Sequence, residues 1–268
     1  MFTIQLPAGP VNGVEKHGVR SFRNIPYAAC QRFKRPTELE SWLVPSDHVA
    51  AQCPQPDLRL EMLLWNRVQL LAFAVSNFVF GHGFNDQPKN PKPLPPRGDS
   101  QHMSEDFCLN LNVFTPSTAT TAAVAALPVI VFVHGGSFIQ GSGGALLYSS
   151  DWGSRLALRE NVVLVTINYR LGAFGFLNVP GGDTNCGLHD VLAALRWVQR
   201  NIGALGGDAD NVTLCGQSAG AIITGTLQAS PLSRTPRPLF RRAIQLSGTG
   251  VCAISLKQSR QVSMVVVV

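Results

Sequence analysis

Two short stretches bring together residue types that do chemistry. Gly216-Gln217-Ser218-Ala219-Gly220 sets a serine hydroxyl between two glycines, directly after the apolar run VTLC at 212–215. This is the G-x-S-x-G pattern of a nucleophile elbow, a sharp turn from strand into helix that lifts the hydroxyl out of a sheet. Small residues are needed two positions either side, because a Cβ there would strike neighbouring backbone. Alone, the pattern recurs as an ordinary turn. An apolar strand before it and a helix former after it make Ser218 the candidate nucleophile. The second stretch, His134-Gly135-Gly136-Ser137-Phe138, follows the buried-strand run VIVFV at 129–133. Its glycines let the backbone approach an acyl group and aim N–H groups at a developing oxyanion. The expected donors are the backbone N–H groups of Gly136, Ser137 and Ala219. His134 is expected to orient its loop rather than serve as base. Together the two stretches point to acyl transfer through a serine, which is inert until a base takes its proton.

Such a serine needs a sheet to stand on. Residues 3–26 alternate apolar and polar around Gly9-Pro10 and Asn12-Gly13, the pattern of antiparallel strands with turns. Strands are predicted at 109–114, 129–133, 162–167 and 243–246, and helices at 152–159 and from Ser218 to about Gln228. Leu188, Val191, Leu192, Leu195, Val198 and Ile202 form one helical stripe over 187–202, and Gly203, Gly206 and Gly207 end it. Unbroken apolar strands alternating with helices predict an α/β fold with a mostly parallel, doubly covered sheet.

The chain has 268 residues, 45% hydrophobic and 14% charged, which is enough for a sizeable core and excludes a disordered chain. The net charge of +6 equals the excess in residues 219–268, which hold six basic residues and no acidic one. Without a recognisable module this is not the footprint of a nucleic-acid-binding protein, and no such partner is expected. The six cysteines contain no C-x-x-C, so no metal is implied, and no organic cofactor either. The N-terminus lacks a charged start followed by an apolar run, so the sequence as written shows no secretory signal.

Residues 57–103 fit poorly into a compact domain. The charge-free run 68–85 includes Gln69, Ser76, Asn77 and His82. Its apolar part falls short of the ~20 residues of a membrane span, so a packed helix or lid is expected instead. Pro88, Pro91, Pro93, Pro95 and Pro96 then make a stiff linker. Residues 257–268, ending in four valines, stay unassigned.

With these pieces in order, the chain resembles the type-B carboxylesterase and cholinesterase family of the α/β-hydrolase fold. The resemblance rests on Ile25-Pro26-Tyr27-Ala28, Ser104-Glu105-Asp106 with Cys108-Leu109-Asn110-Leu111-Asn112-Val113, and HGGSF at 134–138. It continues through Asn168-Tyr169-Arg170-Leu171-Gly172, Asn185-Cys186-Gly187-Leu188-His189-Asp190, Gly206-Gly207-Asp208, GQSAGA at 216–221 and Phe240-Arg241-Arg242-Ala243-Ile244. It implies a serine hydrolase of small-molecule carboxylic esters working through an acyl-enzyme. It also implies a disulfide between Cys53 and Cys108, which needs an oxidising compartment. The domain is then 1–256, interrupted by the atypical 57–103.

The departures carry weight. Gln217 stands where the family has glutamate, Ser137 where it has a third glycine, and Val191 where it has glutamine, while Phe107 is inserted before Cys108. After Ser218 the sequence holds no Asp, Glu or His, although the family places its acid and base there. His17, His48, His82, His102, His134 and His189 all precede the serine. The expectation is an N-terminal half of an esterase, inactive as it stands. The alternative is a non-catalytic interaction protein of the same fold, which the presence of Ser218 argues against.

Overall fold

The computed structural model describes residues 1–41, 51–55, 102–120, 126–144, 150–249 and 257. The expectations for 57–101 and for 258–268 fall outside the described residues. The chain divides into two units, one of residues 1–55 with 101–268 and one of residues 56–100. The first holds everything below.

Eight strands form its sheet: β1 (Phe2–Leu6), β2 (Gly9–Lys16), β3 (Val19–Pro26), β4 (Asn110–Pro116), β5 (Leu127–Val133), β6 (Val163–Ile167), β7 (Gly207–Gln217) and β8 (Arg242–Leu246). Their order is β1-β2-β3-β4-β6-β5-β7-β8. The first four pair antiparallel, and β4 meets β6 antiparallel. From β6 through β5 and β7 to β8 every pairing is parallel. This is the α/β-hydrolase sheet, a parallel half carrying an antiparallel N-terminal edge.

The parallel strands are apolar because both of their faces are covered. All five residues of β6 are buried, and Val129, Val131 and Val133 of β5 are fully buried. Each such side chain contributes roughly 1.5–3 kcal/mol. The covering helices are α1 (Ser150–Glu160), α2 (Gly172–Phe176), α3 (Cys186–Asn201) and α4 (Ala219–Ala229). Along α3, Val191, Leu192, Leu195 and Val198 are fully buried, as their spacing requires, and Trp197 joins them. A 3-10 turn at Ile202–Leu205 and Gly206, at φ 85°, end the helix and return the chain to β7. No helix among the described residues is long and apolar enough to cross a membrane.

The disulfide between Cys53 and Cys108 is not formed, and both residues are free thiols. The reason is local. Cys53 Sγ is directed at the carbonyl of Cys108, 3.9 Å away. Cys108 Sγ faces the Glu105 carbonyl at 3.7 Å, and Cys30 Sγ donates to the same oxygen at 2.7 Å. Three thiols thus share one spot. Hydrogen bonding to Cys108, then burial, pushes the Cys30 thiol up, and burial does the same for Cys53.

Candidate active site

Ser218 is where strand gives way to helix. It follows β7 and caps α4, with φ 52° and ψ −119°. A non-glycine residue rarely adopts this conformation, which costs on the order of 1–3 kcal/mol and persists only when the surroundings impose it. They do. The Ser218 N–H donates to the Leu246 carbonyl of β8 at 2.8 Å, and its own carbonyl accepts from Ala221 and Ile222 at 2.9 and 3.1 Å. The flanking glycines are obligatory. A Cβ on Gly216 would collide with the Gly220 carbonyl, and one on Gly220 with the Val133 carbonyl at the end of β5. Ser218 itself remains half-buried.

The loop after β5 lies directly against this turn. A Cβ on Gly135 would stand 2.5 Å from Gln217 Oε1 and 3.0 Å from Ser218 Cβ. Gly136, Ser137 and Phe138 follow at φ 117°, 55° and 63°. The turn is closed by the Gly136 carbonyl, which accepts from Ile139 and Gln140 at 3.1 Å each. Tight turns of this kind aim successive N–H groups into one concavity. The Gly136 and Ser137 N–H groups donate to none of the described residues. Ala219, the first residue of α4, has no intrahelical acceptor for its N–H. The Gly135-Gly136 turn and the serine therefore lie side by side at the carboxyl ends of β5 and β7.

His134 fixes the base of the loop. Its ring is buried, stacks on Tyr169 at 4.5 Å between centroids, and lies 2.8 Å through Nδ1 from the Gly135 carbonyl. A carbonyl only accepts, so Nδ1 carries the proton. Nε2 is buried with no hydrogen-bond partner among the described residues. Burial pushes this imidazole down to about 4, against the opposing effect of the Gly135 carbonyl. A neutral, clamped ring suits a positioning role. Tyr169 in turn donates its hydroxyl to the His134 carbonyl at 2.9 Å. Among the described residues, no side chain is hydrogen-bonded to Ser218 Oγ.

Beneath the loop is a support that the sequence reading did not assign. Asp190 of α3 is fully buried and meets Arg170, after β6, through two hydrogen bonds of 2.8 and 2.6 Å. Burial opposes the charge of Arg170, but its hydrogen bonds to Asp190 more than restore it, holding the guanidinium above its ordinary value. Arg170 also donates to the carbonyls of Gln31 and Lys34 at 3.1 and 2.7 Å. Beside it, Asn168 accepts from the Gly143 N–H at 2.7 Å and donates to Asn110 Oδ1 at 3.0 Å. Gln55 accepts from the Gly141 N–H at 2.8 Å. The clue was available: charged and amide residues set inside apolar runs are rarely buried unless paired.

The geometry has relatives. The model of the carboxylesterase family matches residues 2–267. A para-nitrobenzyl esterase of Bacillus subtilis is 38% identical over 250 residues, covering 90% of this chain and 42% of the relative. Carboxylesterase 3B of Mus musculus is 48% identical over 151 residues, covering 54% of this chain and 24% of the relative. Among solved structures, a thermophilic para-nitrobenzyl esterase superposes with a TM-score of 0.74 at 33% identity, over 98% of this chain and 47% of the other. The chain spans less than half the length of these relatives. On the family match over residues 2–267 and the agreement with a solved esterase over almost all of its length, the chain belongs to the carboxylesterase family.

Proposed function

We propose that the chain carries the nucleophile and oxyanion-binding part of a serine carboxylic ester hydrolase, in a domain of residues 1–256 in which 57–103 is an insertion. The observation that supports this most directly is Ser218 at φ 52°, between two irreplaceable glycines and facing the Gly135-Gly136 turn. Ser218 Oγ attacks the carbonyl carbon of a small ester and gives its proton to a base. Charge gathering on the carbonyl oxygen is met by the N–H groups of Gly136, Ser137 and Ala219. The alcohol leaves, an acyl-serine remains, and water releases the acid. Each preorganised donor of this kind is worth about 3–4 kcal/mol to the transition state.

No base stands against Ser218 among the described residues. Residues 219–268 contain no Asp, Glu or His, and no described side chain is bonded to Ser218 Oγ. The 268 residues alone are therefore expected to bind and polarise an ester without turning it over at an enzyme-like rate. Two measurements test the reading. Para-nitrobenzyl acetate should be hydrolysed slowly, and Ser218→Ala should abolish what remains. A fluorophosphonate probe should label wild type weakly and Ser218→Ala not at all. Turnover that survives Ser218→Ala would place the chemistry elsewhere and end the proposal.

A further inference from the structure

The positive charge of the last fifty residues plays no part in ester chemistry, and the fold gathers most of it in one place. Arg234, Arg237, Arg241 and Arg242 line a single cavity of about 540 Å³ with Phe240 and Asp210. Its walls come from the start of β7, the end of α4 with the loop that follows, and the first residues of β8. These are the opposite ends of the elements that present Ser218. The strand from Asp210 to Ser218 spans roughly 25 Å, so the two sites are separate.

The donors can be accounted for one by one. Arg234 is committed: its Nη2 donates to the Gln228 carbonyl at 2.6 Å and caps the C-terminus of α4, where a cation is favoured. Arg242 gives Nη1 to Asn211 Oδ1 at 2.6 Å and keeps its other N–H groups. Arg237 stands 3.8 Å from Asp210, with the two side chains 55% and 88% exposed, a pairing worth little in water. Arg241 donates its backbone N–H to the Val212 carbonyl at 2.8 Å, while its guanidinium has no partner among the described residues. Four guanidinium groups thus surround one cavity with one carboxylate. Like charges repel when gathered in this way, and an anion between them removes the penalty. Guanidinium forks match the oxygens of phosphate and sulfate two at a time. Half-buried Phe240 supplies an apolar wall, and the volume is that of a small-molecule site.

We propose that this cavity binds a small organic anion, a phosphate or sulfate group carried on an apolar ring. The site is independent of Ser218. Fluorescence titration of the whole 268-residue chain with 1-naphthyl phosphate and with 1-naphthyl sulfate tests it, and the stronger ligand identifies the group. 1-Naphthol and inorganic phosphate serve as controls for the ring and the charge alone. Saturable binding of a naphthyl anion is expected, with both controls about tenfold weaker or worse. Arg237→Gln with Arg241→Gln should weaken binding about tenfold, and Arg241→Lys, which keeps the charge but loses the fork, about threefold. Asp210→Asn should tighten it. Arg159→Gln, an exposed arginine on α1, should leave it unchanged. Melting temperatures confirm that each variant is folded. The proposal is overturned by absence of saturable binding, by 1-naphthol binding as well as the anions, or by Arg159→Gln weakening binding as much as the double variant.

Discussion

At its carboxyl end β7 presents Ser218 through backbone alone. The serine sits at φ 52°, glycines flank it where no Cβ fits, and the opposing loop runs through three successive positive-φ residues. At its amino end the same strand borders a cavity walled by long, exposed arginine side chains. The first end is preorganised by packing, so a change there is paid for in folding. The second is assembled from groups that hang in water, so a change there alters binding and leaves the fold alone. The parallel sheet makes both possible, because its buried middle separates the two ends.

The contrast breaks most severely at the support beneath the serine loop. Asp190→Ala leaves Arg170 charged, buried and unpaired, and should cost about 3–5 kcal/mol, read from urea unfolding. Acid should act on the same end through His134. Its pKa falls from 6.5 unfolded to about 4 folded, so stability is fully present above pH 6.5. Between pH 6.5 and 4 the unfolded chain takes a proton that the folded chain refuses, and about 3 kcal/mol is lost on acidification. Urea midpoints at pH 7 and pH 4.5 measure this, and His134→Gln should flatten the slope. Gly220→Ala, which drives a methyl into the Val133 carbonyl, should cost about 2–3 kcal/mol by thermal melting. Ser218→Gly should move the other way, stabilising by roughly 1 kcal/mol as the strained φ is relieved while probe labelling disappears. At the far end, Arg237→Gln with Arg241→Gln should shift stability by no more than about 0.5 kcal/mol. If the arginine variant matched Gly220→Ala, the contrast between the ends would be lost.

Much of the carboxyl end was legible because its constraints are local. The requirement for glycine at 216 and 220 follows from a turn five residues long, and the strand runs at 129–133 and 243–246 announce themselves by composition. β7 proved longer than the apolar run 212–215: Gly207 pairs with Leu127 of β5 ahead of a register shift, and Gly216 and Gln217 continue the pairing with β8. What stayed hidden depends on partners distant in sequence. The stack of His134 on Tyr169 joins residues from two different strand ends. The cysteine pairing failed because Cys30, a third thiol, shares the same carbonyl as Cys108, which spacing does not reveal. The basic excess was visible as composition, but only the fold brings Arg241 and Arg242 to one cavity with Asp210.

Arg170 is bonded at once to α3 and to the carbonyls of Gln31 and Lys34, which lie more than a hundred residues before it. On a ribosome adding about 5–20 residues per second, the cover around Gln31 leaves the exit tunnel many seconds before its rivet is made. Until then it is held by earlier contacts, Cys30 on the Glu105 carbonyl and Arg32 on the Glu105 carboxylate. The tie that runs through Arg170 to Asp190 is thus among the last of its bonds to form in biosynthesis, after α3 has emerged.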